Sequence, residues 1–328
     1  MSDEVKKQSN DLLDVAMRNT KQLSSLTHGI SDCGRVRESN QDQFLIAELS
    51  KSMLVSATTL DLGERVFGRV QGEILLVADG MGGHAAGDQA SRLAISHLVR
   101  RLLNSVHWFF HGDDGNEDEF VSNLQALMQD ANSTILRESV KNSWASGMGT
   151  TLTMAHRIGK RLFVVHAGDS RCYLYRNGAV EQLTTDHTWA RQMVEEGGMR
   201  PEDESTSRWS NVLWNVLGGN SNDEVIAEAR RVDLEEGDLI VLCSDGLHRY
   251  VDEYMLADVL SVTEEPEAAC RSLVDFANAS GGQDNVTVVV ARPDLTETDD
   301  RIFSARIDPQ SVSENVISDG IQEDLPRL

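Results

Sequence analysis

The sequence predicts an α+β protein, a packed β core with amphipathic helices against it, and three observations carry that prediction. Residues 88–108 and 120–140 repeat apolar side chains at the helical period. Residues 149–184 break instead into short strands separated by turn residues. Apolar runs at 74–78, 238–243 and 286–291 have the length and composition of buried strands.

Taken in order, residues 1–26 are polar with a weak helical stripe (Leu12, Leu13, Val15, Ala16, Leu23) and read as a lead-in segment. The globular part begins near His28. Residues 44–49 form a strand, and 51–72 a hairpin or loop. The run 74–78 then stops at Asp79, followed by Gly80, Gly82 and Gly83 and a helical pattern from Asp88. A carboxylate at the tip of a buried strand should face water, a cation or a metal, because burying it without a partner is costly. The glycines allow close backbone approach and free the Gly80 carbonyl to act as a ligand. At this point an ordinary strand-to-helix turn with a solvated acid explains the stretch equally well.

In the first helix Leu93, Ala94, Leu98, Leu102 and Val106 share a face. Residues 111–119 are an acidic surface loop without EF-hand spacing. The second helix is carried by Leu124, Leu127, Met128, Ala131, Ile135 and Leu136. Residues 149–184 read as a β-meander, with Asn177-Gly178 as a type I′ hairpin turn. A short helix over 188–196 ends at Gly197-Gly198. The polar, Trp-containing stretch 199–224 reads as a surface flap. A strand then ends at Asp245-Gly246, and helices fill 252–262 and 266–279, the second closed by Gly281-Gly282. Gln283-Asp284-Asn285 leads into the strand 286–291. After Pro293 the chain is acidic and aperiodic, so 294–328 is expected to be a disordered tail.

A formal net charge of −23 argues against nucleic acid as a partner. Cys33, Cys172, Cys243 and Cys270 lack zinc spacing and read as free thiols of a reducing compartment. The N-terminus lacks the apolar core of a signal peptide, and no run approaches the roughly 20 residues needed to span a bilayer. A cytoplasmic protein with no membrane association is expected, and a monomer.

One construction recurs. Asp79 and Asp245 each end an apolar strand and precede a glycine, Asp169 follows the strand 162–166, and Asp284 precedes the strand 286–291. The end of one antiparallel strand and the start of its neighbour share an edge, so these acids can gather at one rim. Clustered carboxylates persist only if cations neutralise them. An all-oxygen donor set selects Mg²⁺ or Mn²⁺ over zinc, and so many acids suggest two ions. A two-metal centre activates water and clamps an anionic substrate. Each Asp-Gly alone is more simply a turn, but the repeated construction is not. Arg37, five residues before Asp42, supplies a guanidinium suited to phosphate oxygens, although an Arg in a polar loop is by itself usually surface.

The ordered motifs GxxRxxNQD (34–42), VADGMGGHxxGD (77–88), GTTL (149–152), AGDSRxYL (167–174), LTTDH (183–187), SDGL (244–247) and GGQDNVTVVV (281–290) resemble the metal-dependent serine/threonine protein phosphatases of the 2C type, in their bacterial form. The resemblance covers about 28–293. It implies two packed antiparallel β-sheets, a β-sandwich, flanked by helices on both outer faces. It implies a catalytic domain over 27–293, Mn²⁺ or Mg²⁺ as two ions with a third position, phosphorylated proteins as substrates and a serine/threonine kinase as counterpart.

Carried over by position, Asp79 would bridge both metals and Gly80 would ligate through its carbonyl. Asp245 and Asp284 would complete the first metal, and Asp42 would serve the second through water. Asp169 would hold the third together with Asp245, and Arg37 would hold the substrate phosphate. Met81 stands where eukaryotic relatives have the histidine after Asp-Gly, which leaves His84 as the nearest proton donor. Asp88 stands where bacterial relatives usually have Glu. Trp214 and Asn215 replace a Thr-Arg pair, which puts flap docking in question. A catalytically silent binding protein should have lost acids of this set, and a nuclease should carry a basic groove; neither feature is present.

Overall fold

The computed structural model describes residues 26–50, 70–83, 86–104, 117–219, 224–263 and 265–295. The lead-in segment up to residue 25, most of the 51–72 loop, His84, most of the acidic loop and the tail beyond residue 295 lie outside them.

The first strands are β1 (Thr27–Asp32), β2 (Asp42–Ser50) and β3 (Val70–Met81), followed by helices α1 (Ala86–Asn104) and α2 (Glu117–Lys141). Then come β4 (Gly149–Thr150), β5 (Leu152–Ile158), β6 (Arg161–Ala167), β7 (Arg171–Arg176), β8 (Ala179–Gln182) and α3 (Trp189–Glu195). The rest is β9 (Leu217–Gly218), β10 (Glu228–Asp233), β11 (Leu239–Cys243), α4 (Asp245–His248), α5 (Glu253–Val262), α6 (Pro266–Ala279) and β12 (Val286–Ala291).

These strands build a five-stranded sheet, β1-β12-β11-β7-β8, and a seven-stranded sheet, β10-β6-β5-β3-β4-β9 with β2 on the other edge of β3. Every pairing is antiparallel. Period-two alternation explains why the central strands read as unbroken apolar runs. Ile74, Leu76 and Ala78 of β3 face α1 and α2, while Leu75 and Val77 face the other sheet. In β11, Leu239, Val241 and Cys243 pack under α5 and α6, and Ile240 and Leu242 point between the sheets. Three apolar layers result, so the expected sandwich with helices on both outer faces is what the chain forms.

The structure corrects the sequence reading in four places. Strand β3 does not stop at Asp79 but continues through Met81, its tip pairing with β4. Residues 149–184 are not one meander. Strands β4 to β6 belong to the seven-stranded sheet and β7 and β8 to the other, with the crossing at 168–170. Periodicity reports a strand but not its sheet. The acidic stretch at 117–119 is the first turn of α2, where acids suit the helix dipole. Finally, the flap is not all surface, because Leu217 is wholly buried and Gly218 pairs with Gly149. The predicted hairpin turn is present, with Asn177 and Gly178 both left-handed at φ 52° and 83°. Cys172, Cys243 and Cys270 are buried free thiols, and Cys33 is half-buried.

Candidate metal centre

The acids meet at one rim because strand register brings them there. Asp42 opens β2 and lies directly across from Asp79 near the end of β3. Asp245 follows β11, Asp284 precedes β12, and these two strands are antiparallel neighbours. Asp169 sits in the crossing between the sheets. One Asp42 oxygen, Oδ2, accepts hydrogen bonds from the Ser244 and Thr287 hydroxyls, each 2.7 Å long, and so ties the two sheets together under the site.

Burial, aided by the charges of Asp245 and Asp284, pushes the Asp42 carboxyl up to about 7 against the opposing hydroxyl bonds. Burial also holds Asp79 well above the usual carboxylate range, with Asp42, Asp245, Asp169 and Asp284 adding repulsion. Asp169 is raised by burial and by the nearby Asp245 and Asp186. Such a cluster is electrostatically unfinished on its own.

The donor set fits a hard divalent cation. Asp42 Oδ1 and Asp245 Oδ1 are buried yet accept no hydrogen bond. Buried polar atoms seldom go without a partner, and carboxylate oxygens alone suit Mg²⁺ or Mn²⁺. The backbone of Asp79 is fully engaged: its N–H donates to the Thr151 hydroxyl, and its carbonyl accepts from Thr151 N–H and the Thr150 hydroxyl, each at 2.9 Å. The carboxyl is thereby aimed without being tied. Next to it, a Cβ on Gly80 would lie 2.2 Å from the Gly87 carbonyl oxygen, so only glycine lets α1 close on the tip of β3.

Arg37 is half exposed, and its guanidinium donates to Asp284 Oδ2 at 2.7 Å. Its loop is pegged by Asn285, which donates to the Cys33 and Ser39 carbonyls and accepts from Gln41 N–H. Gly34 is left-handed (φ 79°), and a Cβ there would strike the Asp284 carbonyl oxygen at 2.2 Å. His84, the proposed proton donor, lies outside the described residues.

Asp169 is braced from behind. His187 Nδ1 accepts from Gly168 N–H and from the Asn215 amide, and His248 Nε2 donates to the Asp169 carbonyl at 3.0 Å. Arg171 grips Asp186 bidentately at 2.9 and 2.6 Å. His166, His187 and Glu228 bring ligand-type atoms within 4.8 Å of one another. Those atoms are largely spent on Thr153, Thr185, Gly168 and Asn215, so the group serves as a polar brace. Asn215 therefore does not sit at a docking surface: it is buried and makes hydrogen bonds both ways with the Ile226 backbone.

Sequence reading missed Ser244, Thr287, Thr151, Asn285 and Arg249. Ser244 and Thr287 carried a usable signal, since a hydroxyl inside an apolar strand needs a partner. Arg249 did too, lying four residues after Asp245 on one helical face. Its guanidinium pairs with Asp245 Oδ2.

Fold and site together define a class, the α-β-β-α sandwiches that gather carboxylates fit for a hard divalent cation at one rim. Comparison with known proteins narrows this. The family model described as Protein phosphatase 2C matches residues 65–278, and the chain belongs to that family. It is 38% identical to the serine/threonine protein phosphatase PstP of Mycobacterium tuberculosis over 220 residues, which are 66% of this chain and 40% of that protein. It is 34% identical to the serine/threonine phosphatase stp of Listeria monocytogenes over 68% of this chain and 86% of that one. The solved catalytic domain of PstP in complex with two manganese ions superposes with a TM-score of 0.62 at 33% identity, covering 81% of this chain and 96% of that one.

Proposed function

We propose that residues 27–293 hydrolyse phosphoserine and phosphothreonine in proteins with Mn²⁺ or Mg²⁺, and so oppose a serine/threonine kinase. The observation that carries this reading is the convergence of five acids at one rim, two with buried unpartnered oxygens, beside a half-exposed arginine. When bound, two divalent ions would supply Lewis acidity toward the phosphoryl group and an activated water for in-line attack.

The chain's own groups have distinct tasks. Asp79, on which the charges of the other four acids all act, would hold the ions together with the Gly80 carbonyl, Asp245 and Asp284. Asp42 would act through water, using its free Oδ1. Arg37 would bind two phosphate oxygens while Asp284 holds the guanidinium in place. A proton for the departing seryl oxygen is assigned to His84 on its place in the sequence alone.

A catalytically silent role is disfavoured, since Asp42, Asp79, Asp169, Asp245, Asp284 and Arg37 are all present. The proposed reading takes the protein as a cytoplasmic monomer; among the described residues no helix is long and apolar enough to cross a membrane.

The test is hydrolysis of p-nitrophenyl phosphate and of a phosphothreonine peptide with Mn²⁺. Both activities should stop on adding EDTA and be lost in Asp79→Ala. Activity that survives thorough metal removal would sink the reading.

A further inference from the structure

The family resemblance leads one to expect a third ion shared between Asp169 and Asp245, but this chain places a cation of its own there. Asp245 begins α4, and Arg249, one turn on, donates from its guanidinium to Asp245 Oδ2. The two oxygens of Asp245 are therefore divided. Oδ1 is buried and unpartnered, free for the ions already discussed, while Oδ2 is taken. The Arg249 charge also acts on Asp169, the other acid a third ion would need, and on Asp284.

We infer that Arg249 is a built-in counter-cation that replaces the third ion, so the centre takes up two divalent cations and not three. A dication placed between Asp169 and Asp245 would have to share Asp245 with a guanidinium and bear its repulsion. Arginine suits the task because it stays protonated at any working pH. The two guanidiniums of the site, Arg37 and Arg249, pair with Asp284 and Asp245. Two divalent ions then suffice for the remaining carboxylate charge.

This inference rests on the metal centre proposed above, and ion counting separates the two. The full chain is dialysed to equilibrium against Mn²⁺, and bound metal is measured by elemental analysis. The parent should hold two ions. Arg249→Gln, which keeps a hydrogen-bond donor and removes the charge, should gain a third, and Asp169→Asn added to it should abolish that gain. Arg249→Lys should stay at two. Circular dichroism identifies any variant that fails to fold, and the parent count stands independently of the variants.

A parent that holds three ions and loses one in Asp169→Asn overturns the inference, as does a folded Arg249→Gln that remains at two. A parent that takes up no Mn²⁺ overturns the metal reading itself.

Discussion

Arg37 shows how a side chain can be held firmly and still have work left to do. Asp284 fixes one face of its guanidinium at 2.7 Å, while half of the side chain remains open to solvent. A fork oriented in this way can meet two phosphate oxygens without first being ordered. Arg37→Ala should lower kcat/KM for a phosphopeptide by about ten- to a hundredfold, the equivalent of roughly 1.5–3 kcal/mol for a charge-assisted hydrogen bond. Arg37→Lys should recover only part of this, because an ammonium lacks the planar fork. Steady-state kinetics would decide, and a specificity constant unchanged in Arg37→Ala would remove Arg37 from the phosphate site. Asn285 is the counterpart without chemistry of its own: its amide holds three backbone groups of the loop that carries Arg37.

The junction of β3 with α1 turns a pattern of small residues into a working geometry. A Cβ on Gly80 would meet the Gly87 carbonyl at 2.2 Å and the Gln41 carbonyl at 2.9 Å, both of them backbone atoms that cannot swing away. Gly80→Ala should therefore cost about 1–3 kcal/mol by overpacking. Urea unfolding in EDTA would read that loss separately from any loss of metal. A variant as stable as the parent would mean that the helix can retreat from the strand.

The same junction marks what the sequence could tell. Apolar runs placed β11 and β12 almost to the residue and the middle of β3, because all three are buried on both faces, although β3 extends several residues beyond its run at each end. The recurrent acid after or before such a run pointed to the rim on which Asp42, Asp79, Asp169, Asp245 and Asp284 converge. What stayed hidden depends on tertiary pairing. The change of sheet at 168–170 and the burial of Asn215 leave no periodic trace. Strand β1, five of its six residues only half-buried, lacks a long apolar run for the same reason.

Across the whole molecule, the acid cluster couples folding to metal and to pH, and the sign can be worked out. In the folded chain Asp42 is pushed up to about 7, mainly by burial, while in an unfolded chain it returns to about 4. Between those values the folded state holds a proton that the unfolded state has lost. Folding then takes up protons, and the metal-free chain becomes less stable as pH rises toward and through about 7. Asp79 and Asp169 are shifted in the same direction and extend the effect. A divalent cation must displace these protons to bind, and it removes the repulsion that raised them.

Stabilisation by Mn²⁺ should therefore grow with pH, by about 1.4 kcal/mol per pH unit for each proton displaced. The buried His166, His187 and His248 are held down to about 3, 4 and 4 by burial. They work the other way, destabilising the fold as pH falls below the ordinary histidine range. Bracing Asp169 from behind the centre, they stay neutral with or without the ion, so their contribution cancels in the difference between the two. The measurement is the Tm with saturating Mn²⁺ minus the Tm in EDTA, taken from about pH 5.5 to about pH 7.5. A difference that stays flat or shrinks as pH rises would show that these carboxyls are not protonated in the metal-free fold, and that burial has been relieved there by some means other than a proton.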